Sequence, residues 1–312
     1  MPTLTFFRAL DSSGTKQKLT PWIPIKTNST RKPIVNALIT SPHNYTVTVL
    51  TREQSSTAPS GATTTKVDYN NHATLVDALK GQDVVVSAIA TPATPEQIKI
   101  IDAAVEAGVK RFVPAEFGVD TTYPGTVDRF PGFKLKQDVR EYLDGKIEWT
   151  AFATGPFFDG TFQRGFLGFD ISSNTASFDP KYRANTFSAS NLDFIGRAVA
   201  QALAPSIAPK TANKLLYVRS FTVSQDALLA EVERITGKEW KVETISFEEL
   251  TKDAREKLKN NDFSRVGALI QDVIFDSATG NDWDIRGVTS NELLELPDKE
   301  DLEATLRRVL AA

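Results

Sequence analysis

From residue 33 onward, short β-rich runs alternate with helical ones, the pattern expected of a parallel sheet covered by helices. Pro33 followed by Ile34, Val35, Ala37, Leu38 and Ile39 predicts a helix with proline in its first turn, and residues 45–50 then predict a strand. Strand-like runs recur at 66–69, 83–89 and 111–114. Between the last two, the spacing predicts a helix capped by Thr94, with Pro95 at its first position, Gln97 completing a capping box and Gly108 ending it. Its apolar stripe is Ile98, Ile101, Ala104 and Val105. A helix over 134–143, a strand over 147–153 and a helix over 191–204 continue the alternation, giving roughly six or seven strands in all. In the last third, 226–236, 247–260 and 299–310 read as amphipathic helices around few strand signals, which predicts a mainly helical part.

Residues 1–31 break the pattern. Leu4 to Leu10 has the character of a strand, but about twenty residues would separate it from the first helix, far more than a βα loop uses. Pro21 and Pro24 make Trp22 to Ile25 a poor central strand. Arg8, Lys16, Lys18, Lys26, Arg31 and Lys32 against the single acid Asp11 admit a transit-peptide reading with a mitochondrial address. The preferred reading is a leader translated from a wrong exon or a retained intron, which need not fold. The expected organisation is an atypical leader over 1–31, an α/β domain over 32–156 that also takes in 185–222, and a further, mainly helical part over 157–312.

Composition narrows the chemistry. Lys and Arg total 36 against 39 Asp and Glu, and the net charge of -3 gives no electrostatic case for nucleic acid or an anionic membrane. A small molecule is the expected partner. Cysteine is absent, which removes disulfides, thiolate catalysis and most zinc chemistry. His43 and His72 are the only imidazoles, too few for a multi-histidine metal site, so no metal is expected. No apolar run approaches the ~20 residues of a membrane span, and a cytoplasmic monomer or homodimer is expected.

The segment Ala107-Gly108-Val109-Lys110-Arg111-Phe112-Val113-Pro114-Ala115-Glu116-Phe117-Gly118 resembles the fifth-strand signature of the NmrA-like and isoflavone reductase-like proteins, a branch of the atypical short-chain dehydrogenases. The resemblance runs over about residues 32–312. It implies an α/β fold with a Rossmann-like doubly wound parallel sheet and a smaller, mainly helical C-terminal substrate subdomain. It also implies NADPH as cofactor and hydride delivery to a small aromatic or conjugated substrate.

Such a fold reads its cofactor at the turn after strand one, at the end of strand two and at the strand ends beyond the switch point. The first is missing here. Ile25, Asn28 and Arg31 stand where the family has glycines, and Gly14 is the only glycine before Gly61. Strand two is expected to end in Thr51-Arg52-Glu53, where Arg52 can meet the 2′-phosphate of NADP; the alternative is a solvated arginine neutralised by Glu53. By resemblance the backbone of Ser87-Ala88-Ile89 lies along the cofactor, a buried strand end being the plainer reading. Glu116 is expected at the same sheet edge, pointing toward the site region or pairing with a nearby base, without a catalytic role.

The family's Lys-x-x-Val/Ile-Arg helix is matched by Lys136 to Arg140, and the resemblance assigns Lys136 a general acid/base or orienting role beside the nicotinamide ribose. A lysine can fill it if its surroundings lower its pKa. The alternative is that Lys136 and Arg140 form a solvated basic face. Tyr142 and Lys146 have the spacing of the ordinary Tyr-x-x-x-Lys pair, but Gly145 predicts a helix stop between them. Thr154-Gly155-Pro156-Phe157-Phe158-Asp159 resembles the loop that brings an aromatic to the nicotinamide, with Phe157 or Phe158 as that aromatic or as core. Phe162, Phe166 and Phe169 are spaced as one helix face that lines a cavity or simply packs. Besides the reductase, two readings stand: a non-catalytic dinucleotide-sensing regulator with a protein partner, and a chain whose cofactor binding is impaired by the missing loop.

Overall fold

The computed structural model describes residues 3–7, 31–51, 59–89 and 91–311. The expectations for the leader between 8 and 30, and those for Arg52 and Glu53, fall outside the described residues.

The strands of the described residues up to residue 217 are, in chain order, β1 (Thr3–Phe7), β2 (Thr46–Thr51), β3 (Ala62–Lys66), β4 (Val84–Ser87), β5 (Arg111–Val113), β6 (Glu148–Ala153), the short β7 (Phe169–Asp170), β8 (Thr175–Phe178), β9 (Phe187–Ala189) and β10 (Lys214–Tyr217). Among the described residues, seven of them form one sheet in the order β10-β6-β5-β4-β1-β2-β3. Every pairing in it is parallel. This is the doubly wound order with a seventh strand added, and its direction reverses between β1 and β4. Thr3–Phe7 fills the central position, with Phe7 level with Leu50 on one side and Ser87 on the other.

Helices α1 (Arg31–Ile39), α2 (His72–Leu79), α3 (Gln97–Glu106), the one-turn α4 (Thr126–Arg129), α5 (Lys134–Leu143), α6 (Phe158–Gln163) and α7 (Leu192–Ala202) connect or follow these strands. Side chains alternate across a strand, and the burial follows that rule. Val84, Val86 and Val113 pack against Leu38 of α1 and Ile195 of α7 on one face. Val85 and Phe112 pack against Leu79 of α2, Ile101 of α3 and Val139 of α5 on the other. A core buried on both faces is what lets β4 read VVVS without a polar position before Ser87.

The C-terminal part adds α8 (Ala208–Thr211), β11 (Phe221–Val223), α9 (Gln225–Thr236), β12 (Lys241–Thr244), α10 (Phe247–Lys259), α11 (Val266–Phe275), α12 (Trp283–Arg286) and α13 (Leu302–Leu310). It forms a separate aromatic-rich core that includes Phe158, Phe162, Phe169, Phe178 and Phe247. No helix of the described residues is long and apolar enough to cross a membrane.

Three local expectations are corrected. The strand expected at 66–69 lies earlier, at Ala62–Lys66, where a threonine-rich edge strand pairs with β2, while Val67 and Tyr69 turn inward to the core as loop residues. The capping box does not form. Thr91–Glu96 is a 3-10 turn, α3 begins at Gln97, and the Gln97 side chain donates to the Thr94 carbonyl while its Oε1 accepts from Ala115 N. The buried face of α3 is accordingly Ile100, Ile101, Ala103 and Ala104, with Val105 left 42% exposed.

Candidate active site

All strands of the sheet point the same way, so Thr51, Ser87 and the segments following Val113 and Ala153 lie at one edge. That edge, beside the reversal between β1 and β4, is where such sheets bind ligands. The loop after β5 organises it. Gln97 Oε1 accepts from Ala115 N at 2.8 Å, fastening the loop to the start of α3. Gly118 adopts φ 147, and its carbonyl accepts from both Thr154 N at 2.8 Å and Gly155 N at 2.9 Å. The loops after β5 and β6 are thus joined by backbone hydrogen bonds.

Lys136 projects from α5 into this loop. It is 7% exposed, and its Nζ donates to the carbonyls of Glu116 at 3.1 Å and Phe117 at 3.2 Å. A side chain at position 118 would meet it, because a Cβ there would stand 3.5 Å from Nζ. Burial pushes the amine down to about 8, against which the Glu116 carboxylate acts in the opposite direction. The solvated-face reading of Lys136 and Arg140 is overturned: both are withdrawn from water, and Arg140 Nη1 pairs with Glu116 Oε1. Lys134, two positions away, is the solvated one and pairs with Asp138.

Glu116 is 1% exposed and also accepts from the Thr121 hydroxyl. Further along the loop, Asp120 Oδ2 accepts from Tyr217 Oη at 2.9 Å and Arg286 Nη2 at 3.0 Å, tying the loop to the end of β10 and to α12. Glu116, expected at this edge facing the site or a nearby base, and Arg140, within the matched helix motif, do meet here, whereas Asp120 and Arg286 do not stand out in the sequence as part of a site. The signal for Arg140 was its four-residue spacing from Lys136, which puts both on one helix face.

At the neighbouring strand ends, Thr51 and Ser87 are fully buried, and Ala88 and Ile89 are each 8% exposed. The Ser87 hydroxyl has no hydrogen-bond partner among the described residues, unusual for a buried polar atom. After β6, the two phenylalanines separate. Phe158 is buried against Phe162 and Phe221 in the C-terminal core, whereas Phe157 stays half-buried beside the sheet and bridges to Ser190. Phe162 and Phe169 are core residues with rings 4.9 Å apart, and since α6 ends at Gln163 they share no helix face. Tyr142 and Lys146 are not at this edge: the tyrosine hydroxyl donates to Asp102 of α3, and Gly145 at φ 71 lies beyond the end of α5.

The arrangement offers a buried amine, an unpartnered hydroxyl and small or apolar strand ends. It suits a flat, partly apolar ligand and proton transfer from Nζ.

The model of the NmrA-like family matches residues 30–303. The chain is 37% identical to oxidoreductase aprR of Aspergillus flavus over 271 residues, covering 85% of this chain and 90% of that protein. Its fold is shared with a crystal structure of isoflavone reductase (TM-score 0.74, 22% identity, 98% of each chain). It is shared equally with the binary complex of leucoanthocyanidin reductase with NADPH from Vitis vinifera (TM-score 0.74, 17% identity, 99% of this chain and 100% of that one).

Proposed function

The chain belongs to the NmrA-like family, and from that premise we propose that it is an NADPH-dependent oxidoreductase of the isoflavone reductase-like type, acting on a small aromatic or conjugated substrate. The carrying observation is Lys136, a buried amine fixed by two carbonyls at the carboxyl edge of the sheet. Its relative aprR is an oxidoreductase, and a neighbour of like fold is a complex with NADPH, which supports the same reading.

The described residues fit the nicotinamide end of such a cofactor. Ser87 offers a buried hydroxyl without a partner among the described residues, Ala88 and Ile89 present a short apolar rim, and Phe157 is the half-buried aromatic of the loop after β6. Thr51 closes the β2 end, and Arg52, next in sequence, is the residue to meet a 2′-phosphate. When bound, NADPH supplies the hydride. Lys136 supplies a proton from Nζ to the substrate atom that gains electron density, and its lowered basicity keeps that proton transferable near neutral pH. In this reading residues 32–156 with 185–222 hold the cofactor, and the aromatic-rich part within 157–312 encloses the substrate.

The experiment is NADPH consumption by the purified chain against a panel of quinones, enones and aryl-conjugated alkenes, beside Lys136→Met. Turnover of at least one class, reduced about 10²- to 10⁴-fold in kcat by the substitution, is expected. Equal turnover by both proteins would remove Lys136 from the mechanism.

A further inference from the structure

We propose that Glu116 is a positioning residue for Lys136, clamped by Arg140 and Thr121 so that the carbonyls of Glu116 and Phe117 hold the lysine amine and the carboxylate supplies the opposite charge that acts on it. The inference deepens the reductase reading and rests on it for its catalytic meaning.

The geometry carries it. Glu116 supplies two features to the same neighbour: its own carbonyl, 3.1 Å from Nζ, and a carboxylate on the same residue. A buried carboxylate is expensive unless paired, and this one is paired on Oε1 with Arg140 and with the Thr121 hydroxyl. Its Oε2 has no partner among the described residues, though the residue is only 1% exposed. A clamp meant solely to hold the fold would be expected to satisfy both oxygens. Arg140 and Lys136 come from the same helix, one turn apart, so the clamp and the amine it orients move as one body.

The other charged groups around the amine are engaged elsewhere. Lys134 on α5 pairs with Asp138, and Asp120 at the far end of the loop accepts from Tyr217 of β10 and Arg286 of α12. Glu116 is the acid that acts on Lys136, raising its proton affinity against burial.

The test is titration of the Lys136 side chain by NMR of the full chain labelled with carbon-13 at lysine Cε, the resonance assigned by its loss in Lys136→Arg. It needs no substrate. In Glu116→Gln, which keeps the shape but removes the charge, the midpoint is expected to move to lower pH. Since that variant leaves Arg140 uncompensated and can fail to fold, Glu116→Gln/Arg140→Met is measured beside it, with a smaller shift in the same direction. Unmoved midpoints in the folded variants would overturn the proposal. Parallel NADPH assays should show kcat falling in Glu116→Gln while cofactor affinity holds. A native chain that binds but never consumes NADPH would overturn the reductase reading, and the titration would still decide the role of Glu116.

Discussion

Lys136 Nζ donates at 3.1 Å to the carbonyl oxygen of Glu116, a contact that joins α5 to the loop after β5 across twenty residues of chain. With Phe117 O as second acceptor, two of the three ammonium donors are used.

The burial of Lys136 has a thermodynamic signature. The folded-state amine sits at about 8 against 10.5 for an ordinary lysine, so between those values the unfolded chain binds more protons than the folded one. Stability from this group therefore rises as pH climbs through 8 toward 10.5, and below 8 the full cost of burying the charge is present. That cost is about 3 kcal/mol. Relative to the native chain, Lys136→Met should lose about 3 kcal/mol between pH 7 and pH 10.5, read from urea unfolding across the range. A pH-independent difference would contradict the lowered value.

Gly155 is held at φ 61, and a Cβ there would come within 2.0 Å of Ser188 O. Substitution must strain the backbone and break the close approach of the β6 loop to β9. Gly155→Ala should cost at least about 2 kcal/mol, measured by thermal or denaturant unfolding. A variant as stable as the native chain would show that this approach is not required.

Phe157 and Phe158 are adjacent yet belong to different parts of the molecule. Phe158→Ala empties a fully buried aromatic position and should cost about 3–5 kcal/mol. Phe157→Ala, at a half-buried position, should cost about 1 kcal/mol and instead weaken NADPH binding. Paired unfolding and cofactor titrations separate the two effects, and a reversed pattern would move the nicotinamide-side aromatic to Phe158.

Much of this was legible in the chain. The parallel sheet followed from apolar runs alternating with helical ones, and α5 from Lys134 to Leu143 coincides with its predicted span. Where local pattern misled, a tertiary partner had intervened. Gln97 Oε1 is taken by Ala115 N in place of a cap, and β3 formed from threonines because β2 offered them an edge. Helix α11 carries apolar residues around most of its surface and so gave no amphipathic signal. The site was half legible. Lys136 came from a motif, whereas the roles of Glu116 and Arg140 depend on a loop folding back over twenty residues, which no local spacing encodes.

The central claim is that this chain uses NADPH, and direct calorimetric titration of the native chain with NADPH and with NADH tests it most simply. The account predicts that NADPH binds about ten- to a hundredfold more tightly, the worth of one charge-assisted contact to the 2′-phosphate, and that Arg52→Ala brings the two affinities together. Binding of neither dinucleotide, or equal binding that ignores Arg52, would contradict it.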